Sequence, residues 1–181
     1  MSRPEQWWRL RRTAAHECYT RQRDLLLQLR DDLDAARAAF SWPRPAAFNW
    51  ALEWFDVVAA GNPQTALEVV RPDGGTDAVS YDELSRRSDQ VANWLDSIGI
   101  SRGDRILVVL GQQAELWETI LACLKLGAVV IPAYTSLTRA EAADRVARGG
   151  VSCVIARGDL VPLFAKPVPR TRIGVAVPSV C

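Results

Sequence analysis

From residue 105 onward the sequence alternates between short apolar runs and capped helical patterns, and this restricts the possible folds more than any other feature. Arg105 opens a strand-like run whose residues 106–110 are all Ile, Val or Leu, and residues 114–126 are amphipathic at helical spacing and stopped by Gly127. The segment Leu124-Lys125-Leu126-Gly127-Ala128-Val129-Val130-Ile131-Pro132 joins the end of that helix to a second apolar run closed by proline. Thr138-Arg-Ala-Glu141 is a capping box, in which hydroxyl and carboxylate each satisfy a free backbone N–H, and the helix it opens ends at Gly149-Gly150. Residues 151–156 read as a third strand and residues 172–177 as a fourth. The runs are continuously apolar, as strands covered on both faces must be. Repeated strand–helix–strand units with short connections predict an α/β fold, a parallel sheet flanked by helices.

Upstream, residues 66–70 and 76–79 flank Pro72-Asp73-Gly74-Gly75, whose glycines permit a tight hairpin turn. Ser80 with Glu83 is another capping box. Its helix carries Leu84, Ser88, Val91, Leu95 and Ile98 on one face and closes at Gly99. Trp42-Pro43-Arg44-Pro45 divides the chain into a helical N-terminal extension, 1–45, and an α/β unit, 46–181. Residues 17–40 read as one helix. Tyr19, Leu26, Leu29, Leu33, Ala36 and Phe40 form a single stripe broken by Gln22, and this stripe is expected to pack on its own domain rather than form a coiled-coil arm. Asn49 caps a short helix with Trp50, Trp54, Val57 and Val58 on one face.

Charge and composition exclude several functions. With 22 basic and 21 acidic residues the net charge is +1, which gives no electrostatic footprint for nucleic acid or an anionic membrane surface. No apolar run is long enough to span a bilayer, and the N-terminus has no secretory apolar region. Cys18, Cys123, Cys153 and Cys181 form no metal-binding pairs, so a reduced cytoplasmic protein without zinc is expected. His16 is the only histidine. This leaves no material for histidine metal clusters or a Ser-His-Asp triad, and a solvated or capping role is expected for it. Asp31, Asp32 and Asp34 fan around a helix as a solvated face. Trp50, Trp54, Trp94 and Trp117 fall within apolar helical patterns and are expected in the core, as is Cys123, an inert small hydrophobe.

The phosphate-binding signatures of α/β folds are missing. No G-x-G-x-x-G or G-x-x-x-x-G-K-[ST] occurs, and the turn after residues 105–110 is Gly111-Gln112-Gln113, whose bulky side chains disfavour a pyrophosphate cradle. Tyr134-Thr135-Ser136-Leu137-Thr138 has a superficial likeness to a phosphate loop. However, Leu137 stands where glycine is needed and no lysine follows. The capping role of Thr138 accounts for these residues.

Ser80-Tyr81-Asp82-Glu83-Leu84 followed by Leu124-Lys125-Leu126-Gly127-Ala128 resembles the first two core motifs of the AMP-forming adenylating enzymes. Phe48-Asn49-Trp50-Ala51-Leu52-Glu53-Trp54-Phe55-Asp56, Arg102-Gly103-Asp104-Arg105-Ile106 and Trp117-Glu118 extend the likeness toward medium-chain acyl-CoA synthetases, from Phe48 to about Val177. The resemblance implies that 46–181 is the truncated N-terminal subdomain of an AMP-binding synthetase. Such an enzyme couples a carboxylic (fatty) acid to CoA. ATP adenylates the carboxylate with release of pyrophosphate, and the CoA thiol then displaces AMP. ATP, Mg²⁺ and CoA are thus implied for a full-length enzyme. In the family the phosphate loop, the nucleotide-binding aspartates and the catalytic lysine follow the second core motif. The expectation for these 181 residues is accordingly no catalytic, cofactor-binding or metal residue, no cofactor bound by the chain alone, and no activity by itself. Its partner would be the missing C-terminal portion of the synthetase. The alternative is a non-catalytic, stand-alone domain acting as an interaction partner.

Overall fold

Strand β3, Arg105–Val109, organises the larger part of the structure, because its neighbours on both sides come later in the chain. The computed structural model describes residues 12–71, 73–166 and 169–176. They divide into two compact units, Met1–Ala60 and Gly61–Cys181.

In the second unit β3 pairs in parallel with β4, Val129–Pro132, on one side and β5, Cys153–Arg157, on the other. Strand β6, Thr171–Val175, adds beyond β5, giving the order β4-β3-β5-β6. The register sets Leu107 opposite both Ile131 and Val154. Helix α5, Ala114–Leu126, connects β3 to β4, and helix α6, Arg139–Gly149, carries the chain back across β3 to β5. Parallel crossovers are right-handed almost without exception, and two that run in opposite directions along a sheet place their helices on opposite faces. Leu107, Val109, Val154 and Ala156 pack with Leu137, Ala142, Val146, Val151 and Phe164, the last from a 3₁₀ segment, Gly158–Phe164. Ile106, Val108, Cys153 and Ile155 point the other way and are equally buried, so the central strands are covered on both sides as their unbroken apolar runs require. Burying each such side chain contributes roughly 1.5–3 kcal/mol.

The hairpin before the sheet pairs β1, Thr65–Val70, with β2, Thr76–Ser80, and its turn uses Gly74 at φ 84°. Helix α4, Tyr81–Ser97, follows directly. Ser80 Oγ accepts from Glu83 N, while the Glu83 carboxylate is drawn to Arg87 Nη2 at 2.6 Å. At Thr138 both halves of the capping box form. Helix α5 ends at Gly127, whose φ of 72° is left-handed.

The helical unit departs from the sequence expectation. In place of one helix over 17–40 there are two, α1 (Ala14–Gln28) and α2 (Leu33–Ala39). The break falls where Asp32 turns its carboxylate onto Ala35 N at 2.9 Å as an N-cap; Asp31, Asp32 and Asp34 are solvent-exposed as expected, but they do not share one helix. No α2 residue is buried, so the single apolar stripe does not form. Asn49 does cap the next turn, its Oδ1 accepting from the N–H groups of Ala51 and Leu52. That turn is π-helical over Ala51–Phe55 before a short helix α3, Asp56–Ala59. The wider turn accompanies burial of Ala51, Phe55, Asp56 and Ala59, while Trp50 and Val58 are exposed and Trp54 and Val57 half-buried. Three of the four tryptophans expected in the core are exposed: Trp50 at 48%, Trp94 at 47% and Trp117 at 42%. Their periodicity is helical, yet they stand on the outer arc of their helices, so spacing alone misplaced them.

Candidate functional site

In an open parallel sheet the strand between two oppositely directed crossovers leaves a crevice at the carboxyl ends of the strands, where ligands of such folds bind. Here that point lies between β3 and β5. Three segments meet the rim: Leu110-Gly111-Gln112-Gln113 after β3, Ala133-Tyr134-Thr135-Ser136 after β4, and Arg157-Gly158-Asp159 at the end of β5. Gln113 is the N-cap of α5 and is nearly buried; its Nε2 donates to Glu115 Oε2 at 3.0 Å. Tyr134 projects with 78% exposure. Arg157 grips Asp159 through Nε at 2.6 Å and Nη2 at 2.8 Å. This hydrogen-bonded pairing holds the Asp159 carboxyl below its ordinary range and the guanidinium above its own. The pair satisfies itself at the surface.

The segment with a phosphate-loop likeness serves the core. The Leu137 side chain lies in the apolar cluster under α6, and Thr138 N and Oγ1 both donate to Glu141 Oε2, at 2.8 and 2.7 Å. Glu141 is thereby held below the usual carboxylate range, chiefly by the Thr138 N–H. A loop anchored by a buried leucine cannot fold its amides around an anion.

At the opposite, amino-terminal end of the sheet, Asp104 gathers the connections into three strands. Its carboxylate accepts from Ser101 N at 2.8 Å, Ser152 Oγ at 3.0 Å and Arg170 Nη2 at 3.1 Å. Desolvation pushes this carboxyl up, but the three hydrogen bonds outweigh it and leave Asp104 below its ordinary range. In the sequence Asp104 appears only within Arg102-Gly103-Asp104-Arg105-Ile106, with no role assigned; the one local signal of its bridging is a Ser-x-x-Asp spacing ahead of a strand. Burial drives the Cys123 thiol up to about 12, with Cys153 as a second cause, and Cys153 up to about 11. Both are inert as nucleophiles.

His16, in the helical unit, is fixed on both ring nitrogens. Nδ1 donates to the carbonyl of Glu53 at 2.6 Å, which requires the proton there, and Nε2 lies 3.3 Å from Thr20 Oγ1. The Glu53 carboxylate meanwhile accepts from Asn49 N and Thr13 Oγ1. His16 therefore ties α1 to the π-helical turn. Among the described residues no group of three or more His, Cys, Asp or Glu could hold a metal ion, and no helix is long and apolar enough to cross a membrane.

Against known proteins, residues 55–178 match the sequence profile of the AMP-binding enzymes. The chain is 32% identical over 127 residues to the rat mitochondrial acyl-coenzyme A synthetase ACSM5, covering 66% of this chain and 22% of that protein. It is also 32% identical over 143 residues to human mitochondrial ACSM2A, covering 74% and 25%. Among solved structures it superimposes on a Brucella canis acyl-CoA synthetase with a TM-score of 0.67 at 24% identity, covering 88% of this chain and 29% of that one. A benzoate CoA ligase from Burkholderia xenovorans LB400 aligns with a TM-score of 0.55 at 28% identity, covering 65% and 23%. The Brucella match is longer than the second unit alone, so it extends into the helical unit. The chain spans about a quarter of the length of the relatives it matches. With its parallel sheet flanked by helices and a profile match over most of its length, the chain belongs to the AMP-binding enzyme family, among relatives that are acyl-CoA synthetases.

Proposed function

We propose that residues 46–181 are the N-terminal subdomain of an AMP-forming acyl-CoA synthetase, with residues 1–45 a helical extension, and that the chain supplies scaffold rather than chemistry. The observation that carries this reading is the match over residues 55–178 combined with the buried Leu137, which leaves the Tyr134–Thr138 segment unable to hold phosphate. Adenylation of a fatty or other carboxylic acid by ATP·Mg²⁺, and transfer of the acyl group to CoA, would then require polypeptide beyond these residues. The free, buried thiols of Cys123 and Cys153 fit a reducing compartment, and we place the chain in the cytoplasm on that ground.

The test has two parts. Equilibrium dialysis of the 181-residue chain with ATP·Mg²⁺, and a pyrophosphate-release assay with CoA and a panel of short to long carboxylic acids, should both give background values. Turnover by this chain alone would refute the scaffold reading. The intact mass of the native gene product should exceed 20.0 kDa. A native product of that mass would instead favour a stand-alone interaction domain.

A further inference from the structure

Helix α5 buries two charged residues among its apolar ones, Leu121, Ala122, Cys123 and Leu126. Its Glu118 and Lys125 are buried, while Trp117 and Leu124 face solvent. The Lys125 side chain is 1% exposed. Its Nζ donates to Asp89 Oδ1 of α4 at 2.6 Å and lies 3.3 Å from the Ser85 carbonyl oxygen. Two turns earlier on α5, the Glu118 carboxylate accepts from Arg87 Nη1 at 3.2 Å, and Arg87 Nη2 holds Glu83. Ser88, fully buried on α4, donates its hydroxyl to the same Ser85 carbonyl at 2.8 Å.

Apolar groups at these positions would bury the same surface with no desolvation penalty, and they would tolerate many rotations of one helix on the other. Asp89 and Arg87 are 30% and 39% exposed, but the charges they meet on α5 are buried, and a buried charge tolerates only arrangements in which it meets its partner. The two contacts lie two turns apart on α5, so together they restrain its crossing of α4 as well as its rotation.

We propose that Lys125–Asp89 and Glu118–Arg87 form a two-point register lock between α4 and α5, which positions the amino end of α5, and hence Gln113, at the carboxyl rim of the sheet. The lock also gives the lysine of Leu124-Lys125-Leu126-Gly127-Ala128 its role: it reaches back to the helix opened by Ser80-Tyr81-Asp82-Glu83-Leu84. This inference does not rest on the enzymatic reading.

The experiment uses the full 181-residue chain with Asp89→Leu, Lys125→Met and the double variant. Asp89→Leu leaves a buried ammonium without its carboxylate and should lower the folding equilibrium constant by about 100-fold or more; the double variant should recover to within about tenfold of the parent. Uniqueness of packing is read separately, from the backbone amide resonances of Gln112, Gln113 and Gly127 and from binding of a hydrophobic dye. In the double variant these resonances should broaden or split and dye binding should rise although stability is regained. A double variant with one sharp set of parent-like amides and no dye binding would overturn the lock. So would Asp89→Leu being no less stable than the double variant, or a parent chain whose own amides are undispersed.

Discussion

Replacing Leu107 by alanine tests the placement of β3 at the centre of the sheet. Leu107 is completely buried and packs among residues of α6, β5 and the 3₁₀ segment, while its backbone is clamped by parallel partners on both sides. Removing three carbons costs roughly 2.4 kcal/mol in lost transfer free energy, at about 0.8 kcal/mol per methylene. The cavity adds a further term of about 24 cal/mol per Å³ that remains open. A strand held from both sides cannot slide into the void and Ala142 is too small to fill it, so the cost should fall in the upper half of the observed Leu→Ala range, about 4 kcal/mol. With a urea m-value of about 2 kcal/mol/M, the unfolding midpoint moves down by about 2 M. Tryptophan fluorescence and far-ultraviolet circular dichroism, followed together in urea, give the midpoint. Val129→Ala on the exposed edge strand is the control and should cost less than about 1 kcal/mol. A loss below about 1 kcal/mol for Leu107→Ala, or equal losses for the two variants, would refute the central position of β3.

Three further outcomes follow from the same structure. Asp104 has a folded-state pKa below its unfolded value of about 3.9, so its contribution to stability is full above that value and is lost as the pH falls through the folded pKa. Urea midpoints measured from pH 7 to pH 3 should drop more steeply for the parent than for Asp104→Asn, and parallel curves would remove Asp104 from its bridging role. Under native conditions at pH 8 a thiol reagent should label Cys18 while sparing Cys123 and Cys153, which react only on unfolding; modification of the buried pair without unfolding would contradict their packing. Gly127→Ala should cost about 1–2 kcal/mol, because an alanine is forced left-handed there while the nearby Arg102 side chain can move aside, and an unchanged thermal midpoint would show that α5 ends differently.

The α/β unit was readable because its signals are local and agree with one another. Gly99 and Gly127 close helices at the positions the pattern marks, Thr138 and Glu141 form their reciprocal cap, and β3 and β5 are apolar on both faces because both faces are covered. The helical unit was less readable because competing local interactions decided it. An apolar stripe favoured one helix, but Asp32 found a better use for its carboxylate as a cap. Asn49 correctly marked a helix start, yet nothing in the residue pattern signals a π-helical turn, and that turn reassigns the buried face. In α5 Leu121, Ala122, Cys123 and Leu126 are buried as hydrophobicity dictates, but Lys125 and Glu118 also go inward, to partners on α4 that lie some 30 to 40 residues away, beyond any helical window. At the rim, residues 134–138 read as a helix start rather than a phosphate loop because Leu137 replaces the needed glycine, no lysine follows and Thr138 caps α6. The buried Leu137 gives that choice its physical basis.

The strand order carries a kinetic consequence. β3 emerges from the ribosome first of the four strands, yet both its neighbours are encoded later, and the second, β5, ends about 50 residues downstream. At 5–20 residues per second, roughly 3 to 10 seconds separate synthesis of β3 from the arrival of its last partner. No hairpin can form in the interval, because parallel pairing must wait for a whole crossover helix. Until β5 arrives, at least one edge of Ile106 to Val109 stays open as a template for other chains. Yield of folded protein should therefore depend on what shields this one strand during translation more than on the stability of the finished sheet.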